Sequence, residues 1–531
     1  MCHLLFDSYL IKYLIVQTVT AFLSVFLCFK YLFAGKRLRI NPVILVFISA
    51  YVLVNIFSWF LIPSIYKFPS MWTMSTVVVY ALWCMVVSQY ARGQKYQNAM
   101  LFVWVAAAIL ECTITIMQVA HGDRALGTLG NENFLAGFLG LTIPVSVGYF
   151  LSIKKRIMYY TGGVIVSLFL VVLYMTHSRG AWIGICASTA SVLIITFGKI
   201  GKRVTIVLSL GVIVLALLFL PYLFNFVAVQ FGGDVRPAIW EGTLYMILEK
   251  PLIGWGKGAY FIFYPKFRVQ EYWSTKCPTD LTVHAHNEYL QILAETGVAG
   301  LVMFAGLVIL LIKYGVRKFD NLKARRRYIL LGMICGIIGL LAHNVVCNNL
   351  QMPSSAVFLW CAIGVVISYI STKVLRWRSD GLKARLFFLA FVSLMVIIVW
   401  HTGIKPTVEQ YLFKKGWNYR ADGNYAKAIE IYSQAEAWYP WDVELHYRAA
   451  YAYTMNDEYD RAIKEYHDVI RLAPLYGSVH RNLGIVYMKN GEYKNAKVAF
   501  VTALRVNEKD VSVNANLSKM KGAEKNIKET E

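Results

Sequence analysis

Thr282-Val-His-Ala-His-Asn-Glu-Tyr-Leu-Gln-Ile-Leu-Ala-Glu-Thr-Gly-Val-Ala-Gly300 runs from a long polar segment straight into an apolar helix. Two histidines, an asparagine and a glutamate stand at the junction. Ionisable groups at a membrane boundary are costly, so several together mark a functional site by default. Helix capping accounts for Asn287, whose side chain can accept from free backbone N–H groups. It accounts for neither His284 nor His286.

Outward from this stretch, the chain reads as a polytopic helical membrane protein. Of its 531 residues 58% are hydrophobic, and the mean hydropathy is +0.52, far from a soluble globular composition. Twelve apolar runs are long enough to cross a bilayer, at roughly 10–33, 40–62, 71–90, 98–119, 134–152, 157–176, 180–197, 203–224, 287–312, 328–345, 354–372 and 386–403. Met1 to Lys12 lacks a basic leader and a small-residue cleavage site, so no cleavable signal peptide is expected.

The formal net charge of +23 is spread over short loops instead of one basic domain, which argues against a nucleic-acid partner and for membrane orientation. Loops after odd-numbered spans carry it, among them Lys36-Arg37-Leu38-Arg39, Lys154-Lys155-Arg156 and Arg325-Arg326-Arg327. The other loops are poor in Lys and Arg, and the longest covers about 225–286. The positive-inside rule makes the first set cytoplasmic and puts the N-terminus, the second set and everything after Trp400 outside. The nine cysteines form no CxxC pair, and most act as small apolar residues inside spans. A disulfide between Cys277 and Cys347, both in polar loops, stays open.

Beyond the last span the chain repeats. Tyr425-Ala-Lys-Ala428, Tyr459-Asp-Arg-Ala462 and Tyr493-Lys-Asn-Ala496 stand 34 residues apart, and Pro440 and Pro474 share the period. A helix–turn–helix unit of this length with Tyr, Ala and Pro at these offsets resembles a tetratricopeptide repeat. Three units are the practical minimum for a stable stack. Such arrays bind peptides, partner proteins or nothing. The expected division is a membrane domain over 1–404, repeats over 405–518, and a charged, disordered tail over 519–531.

Polar clusters gather on the outer loops. His121-Gly-Asp-Arg-Ala-Leu-Gly-Thr-Leu-Gly-Asn-Glu-Asn-Phe134 follows span four, and Thr176-His-Ser-Arg-Gly-Ala-Trp182 makes a tight hairpin after span six. Arg236-Pro-Ala-Ile-Trp240 and Pro251-Leu-Ile-Gly-Trp-Gly-Lys-Gly258 lie in the long loop. Leu341-Ala-His-Asn344, with Asn348, Asn349 and Gln351, follows span ten. One face thus collects Arg124, Arg179, Arg236, His177, His284, His286 and His343.

Arginine keeps its charge and offers a forked donor pair, which suits phosphate or pyrophosphate. Helix N-termini with glycine turns, as at Gly127-Thr-Leu-Gly130, add backbone donors. Histidine is the natural base near neutral pH. Snorkelling is the alternative for Arg124 and Arg179, and an interfacial hydrogen bond for His177 and His343. A metal on His284 and His286, with oxygen from Glu132, Glu288 or Asp280, is poorly signalled by i,i+2 spacing, and none is expected. The Gly254–Gly258 run lacks the spacing of a nucleotide P-loop.

These segments together resemble the O-antigen ligase and polymerase superfamily of bacterial membrane glycan transferases. The resemblance rests on Arg124–Gly137, Ser178–Gly184, Arg236–Gly258 and, most specifically, His284-Ala-His-Asn-Glu-Tyr-Leu-Gln291 with Glu295-Thr-Gly297. It covers about 100–370 of the chain. It implies an all-α, GT-C-like membrane domain that moves a glycan from a polyprenyl-pyrophosphate carrier to an acceptor at the outer side of the cytoplasmic membrane, without metal or other cofactor and with inversion. By motif, His286 becomes the base, with His284 beside it. Arg179 and Arg236 hold the pyrophosphate, and Arg124, Asn131 and Asn133 shape the donor site. Asn287, Glu288 and His343 support them. The acceptor could be lipid A core oligosaccharide, a second lipid-linked glycan or a protein side chain, and the repeats could recruit a protein partner.

Two other readings compete. A polysaccharide transporter would place its polar groups near the midplane in two related halves, whereas these gather at one face. A passive anchor for the repeats needs one span and leaves the four polar clusters without a role.

Overall fold

In this computed structural model eleven helices among the described residues are long and apolar enough to cross a membrane. The described residues are 3–34, 37–196, 235–275, 282–376, 381–476, 478–508 and 510–530. The span expected at 203–224 lies outside them, as does Cys277. The first seven helices are α1 (His3–Leu32), α2 (Pro42–Phe60), α3 (Ser64–Tyr90), α4 (Gln94–Ala120), α5 (Glu132–Leu151), α6 (Arg156–Met175) and α7 (Arg179–Thr196). A shorter α8 (Arg236–Glu249) precedes α9 (Glu288–Phe319), α10 (Ala324–His343), α11 (Pro353–Ile370) and α12 (Leu382–Val399). Large apolar side chains such as Phe22, Phe102, Val164 and Ile194 point outward, as a lipid-facing surface requires.

Lipid is as apolar as a leucine side chain, so membrane helices associate by close packing instead of apolar burial. Glycines supply it here. A Cβ at Gly332 or Gly336 of α10 would run into the Pro144 or Leu141 carbonyl of α5, and Gly339 of α10 meets Gly184 of α7 backbone to backbone. The α5–α10–α7 stack sets the depth at which the C-terminus of α10 emerges. At the basic end, Arg37–Ile40 pairs antiparallel with Lys373–Arg376 as β1 and β2, with Arg37 opposite Arg376. Two of the basic loops therefore meet on one side of the bundle.

Helix α9 is broken near its start. Gly297 takes φ 65° and ψ −168°, a conformation that glycine tolerates and other residues do not. The break leaves backbone groups without helical partners, which is unfavourable in an apolar setting. Segment 251–256 takes them up: Trp255 N donates to Ala294 O and Gly256 N to Glu295 O, both at 2.9 Å, while Val298 N and Ala299 N donate to Pro251 O and Leu252 O. The glycine-rich run thus has a structural job. A Cβ at Gly254 would lie 2.5 Å from Thr296 N, so only glycine lets the two backbones approach.

After α12, one π-helical turn (Trp400–Ile404) leads directly into α13 (Lys405–Ala421). Helices α14 (Tyr425–Trp438), α15 (Val443–Met455), α16 (Tyr459–Leu472), α17 (Val479–Lys489) and α18 (Tyr493–Val506) complete the solenoid. The 34-residue period reappears as packing. Ala428, Ala462 and Ala496 are fully buried, as are Tyr432, Tyr466 and Phe500. Gly416 and Gly484 lie flat against the Tyr432 and Phe500 rings. A last helix, α19 (Val511–Thr530), follows. Asp510 Oδ1 caps it by accepting from Ser512 N and Val513 N, and Val513 and Met520 pack with Phe500.

The solenoid rests on the membrane domain. Trp441 stacks on Phe68 of α3 with centroids 4.6 Å apart and planes 6° from parallel, and Tyr439 Oη donates to Phe68 O. Phe261, from the segment before the histidines, packs in the same cluster.

Candidate functional site

The site is assembled where α9 begins and α10 ends. Asn287 caps α9, its side chain accepting from Tyr289 N and Leu290 N, so the capping reading of this residue holds. Glu288 N donates to Asn344 O, Tyr289 Oη to Leu341 O at 2.7 Å, and Gln351 Nε2 to Glu288 Oε1 at 2.6 Å. These bonds pin the histidine loop to the end of α10 and the turn after it. Helix α8 is tied to the same loop by Trp240 Nε1, which donates to Ala285 O at 2.9 Å. Arg236 lies one turn before Trp240, close enough for its charge to act on Cys347. Burial still pushes that thiol up to about 12, and among the described residues Cys347 is paired with no other cysteine.

The hairpin after α6 joins from the other side. A Cβ at Gly180 would meet His343 Cδ2 at 2.6 Å, so the His343 ring lies on the first turn of α7, beside Arg179. Ser178 Oγ donates to Asn133 Oδ1 at 2.7 Å, and Asn131 caps α5 by accepting from Asn133 N. His177 and His286 share an unusual backbone, each with φ 51° and each two residues before a helix. Left-handed non-glycine residues are uncommon and concentrate at functional sites.

The centre is polar and poor in protein partners. Both ring nitrogens of His343, together with Glu288 Oε2, Asn344 Nδ2, both side-chain polar atoms of Asn348 and His284 Nδ1, are buried with no hydrogen-bond partner among the described residues. Buried polar groups are normally satisfied, so such a concentration marks a place built for polar company. His284 is half-buried, with its Nδ1 sealed. Burial, then the charges of His286 and Lys257, hold its pKa down at about 3. The imidazole is therefore neutral.

A family model described as O-antigen ligase matches residues 162–305, and tetratricopeptide models match 419–475 and 480–510. Over residues 162–305 the chain is similar to the O-antigen ligase family. A teichuronic acid biosynthesis protein, TuaE of Bacillus subtilis (strain 168), is 24% identical over 314 residues, which is 56% of this chain. The chain spans 61% of that relative's length. The match takes in Arg179, Arg236, His284 and His286, while Arg124, Asn131, Asn133 and His343 fall outside it. The match is narrower than the stretch over which the sequence resembles the superfamily.

Not every expected residue joins the centre. Arg124 is 61% exposed and closes its fork on Glu132, Nε and Nη2 donating at 2.7 and 2.6 Å. The turn at Gly127-Thr-Leu-Gly130 has its donors occupied: Gly127 N donates to Gln118 Oε1 and Thr128 N to Glu111 Oε2. It is a structural knot and not an anion cradle. Among the described residues the metal-like grouping is Glu436, His446 and Glu465 in the repeats, where His446 Nδ1 already lies 2.7 Å from Glu465. Asp280 lies outside the described residues.

Two basic residues near the histidine loop escape sequence reasoning. Arg268 Nη2 donates to Thr282 Oγ1 at 3.1 Å and its guanidinium lies 4.5 Å from the Tyr272 ring, which steadies the approach to His284. Lys257 Nζ lies 2.7 Å from Glu295 Oε2 with side chains only 5% and 2% exposed. A lysine after Gly-Trp-Gly reads as a loop residue until the fold places it against Glu295.

Proposed function

We propose that the chain transfers a glycan from a polyprenyl-pyrophosphate carrier to an acceptor hydroxyl, at the extracytoplasmic face of a bacterial cytoplasmic membrane. One observation carries the reading. The ligase match takes in Arg179, Arg236, His284 and His286, and their elements are bonded or packed around one α10 terminus. In this reading His286 accepts the acceptor hydroxyl's proton as its oxygen attacks the anomeric carbon from the side opposite the pyrophosphate, which gives inversion. Arg236 and Arg179 stabilise the charge that builds on the leaving pyrophosphate, a task fixed cations perform without a metal. His284, neutral and beside His286, does not compete for charge. Buried amides and imidazoles at Asn344, Asn348 and His343 suit hydroxyl-rich groups. The repeats, docked on α3, offer a protein-binding surface near the same loop.

A second reading, polymerisation of a lipid-linked glycan, is favoured by the relative named for biosynthesis of an envelope polysaccharide. Protein glycosylation is a third form of the same chemistry. A deletion strain whose envelope glycans are run on a gel separates them. Loss of long chains from their anchor means ligation, single repeats mean polymerisation, and a shifted protein band means protein transfer. An unchanged glycan and protein profile refutes all three. A chelator is expected to leave transfer intact.

A further inference from the structure

Buried ion pairs are poor stabilisers, because the cost of dehydrating two charges roughly cancels their attraction, and apolar replacements are often neutral. Stability alone does not account for Lys257 and Glu295. Their connections do. Glu295 Oε1 accepts from Gln291 Nε2 at 2.9 Å, and Gln291 Oε1 accepts from the backbone N–H of Ala285 at 2.8 Å. Ala285 sits between the two histidines. The Lys257 ammonium is thus linked to the His284–His286 backbone through one carboxylate and one amide.

Both ends of the chain are fixed. Lys257 N donates to Ser58 Oγ at 3.0 Å and Ser58 Oγ donates to Glu295 O at 3.2 Å, which anchors the pair to α2. Lys257 is flanked by Gly256 and Gly258, both at positive φ, so the loop is shaped to turn this one side chain inward. Burial works against the ammonium, but Glu295, Tyr51 and Glu288 together outweigh it and the charge is kept. A charged lysine fixes which Glu295 oxygen is free for Gln291. Gln291, donating to Glu295, must then turn its own oxygen toward Ala285.

We infer that Lys257, acting through Glu295 and Gln291, is a positioning residue that holds the His284–His286 loop in its left-handed turn. This rests on the glycan-transfer reading only for its consequence, since the relay itself is a matter of loop geometry. The charges that act on His284 are those of His286 and Lys257, so loosening the relay also changes the field around the ring.

The test uses the full chain in lipid nanodiscs and diethylpyrocarbonate, with carbethoxylation of each histidine followed by mass spectrometry. Gln291→Leu cuts the relay while keeping both residues of the ion pair, and the double variant Lys257→Met/Glu295→Met replaces the pair with apolar side chains. Both are expected to label His284 and His286 about threefold to tenfold faster than wild type, the change in local opening that one lost hydrogen bond produces. His446 and His480 in the repeats serve as internal references and stay unchanged in a folded protein. Unchanged labelling of His284 and His286 in both variants, with the references intact, overturns the relay. Envelope glycans from the same strains form a separate arm. Faster labelling with normal glycans supports the relay and counts against the transfer reading.

Discussion

Trp240 donates its indole N–H to the carbonyl of Ala285 at 2.9 Å, and this bond joins the helix that begins at Arg236 to the loop that carries both histidines. A proposed cation for the leaving group and a proposed base for the incoming one are thereby held by a single rigid aromatic. Trp240→Phe keeps the ring and removes the donor. One neutral hydrogen bond is worth about 0.5–1.5 kcal/mol, so transfer is expected to fall several-fold with protein levels intact. In-membrane activity normalised to immunoblot signal checks this.

His286→Ala is expected to lower transfer by about a hundredfold to ten-thousandfold, the range a general base supplies. The protein should still insert and carry its repeats, because His286 lies in a loop and not in the packed α5–α10–α7 stack. Glycan gels and membrane fractionation of the same strain measure both. Substantial residual transfer removes His286 from the base role.

Gly184→Leu probes the scaffold beneath the site. A Cβ at Gly184 would lie 2.6 Å from the Gly339 carbonyl oxygen and 3.4 Å from His343 Cβ. Overpacking of this kind costs about 1–3 kcal/mol, and here it also pushes α7 away from the His343 end of α10. A lower unfolding temperature in detergent micelles together with lost transfer is the expected pair of outcomes.

Acid should weaken the site through His284. Its pKa falls from 6.5 to about 3 on folding, so between these values the unfolded chain binds more protons than the folded one. Stability therefore rises with pH across that window and is lost on acidification. The unfolding temperature of wild type should drop from about pH 6.5 downward, and His284→Asn should flatten the slope. Equal slopes would show that the imidazole is hydrated in the folded protein.

The solenoid should be clamped and not swing freely. Phe68→Cys with Trp441→Cys places two thiols where the rings now stack at 4.6 Å, and a short bifunctional maleimide should join them to give a compact species on a gel. Trp441→Ala gives up an aromatic pair worth about 0.5–1.5 kcal/mol and should speed proteolysis between α12 and α13. Failure to cross-link would mean that the repeats leave this seat.

Sequence alone determined what depends on composition and period. Apolar runs long enough to cross a bilayer must become helices, because backbone groups find no other partners in lipid. The 34-residue recurrence of Tyr and Ala dictates a stacked solenoid, because each unit buries its small and large faces only against the next. The histidine loop was legible because imidazoles at a membrane edge are costly to keep without a purpose. Tertiary structure decided everything that depends on which loops meet. Arg124 and Arg179 look alike in sequence, yet Arg124 spends its fork on Glu132 at the rim while Arg179 begins the helix that lies under His343. Lys257 looks like an ordinary loop lysine, and only the break at Gly297 brings Glu295 to it. The Lys257–Glu295 contact joins residues 38 apart, and its energy comes from packing and desolvation that no local pattern records.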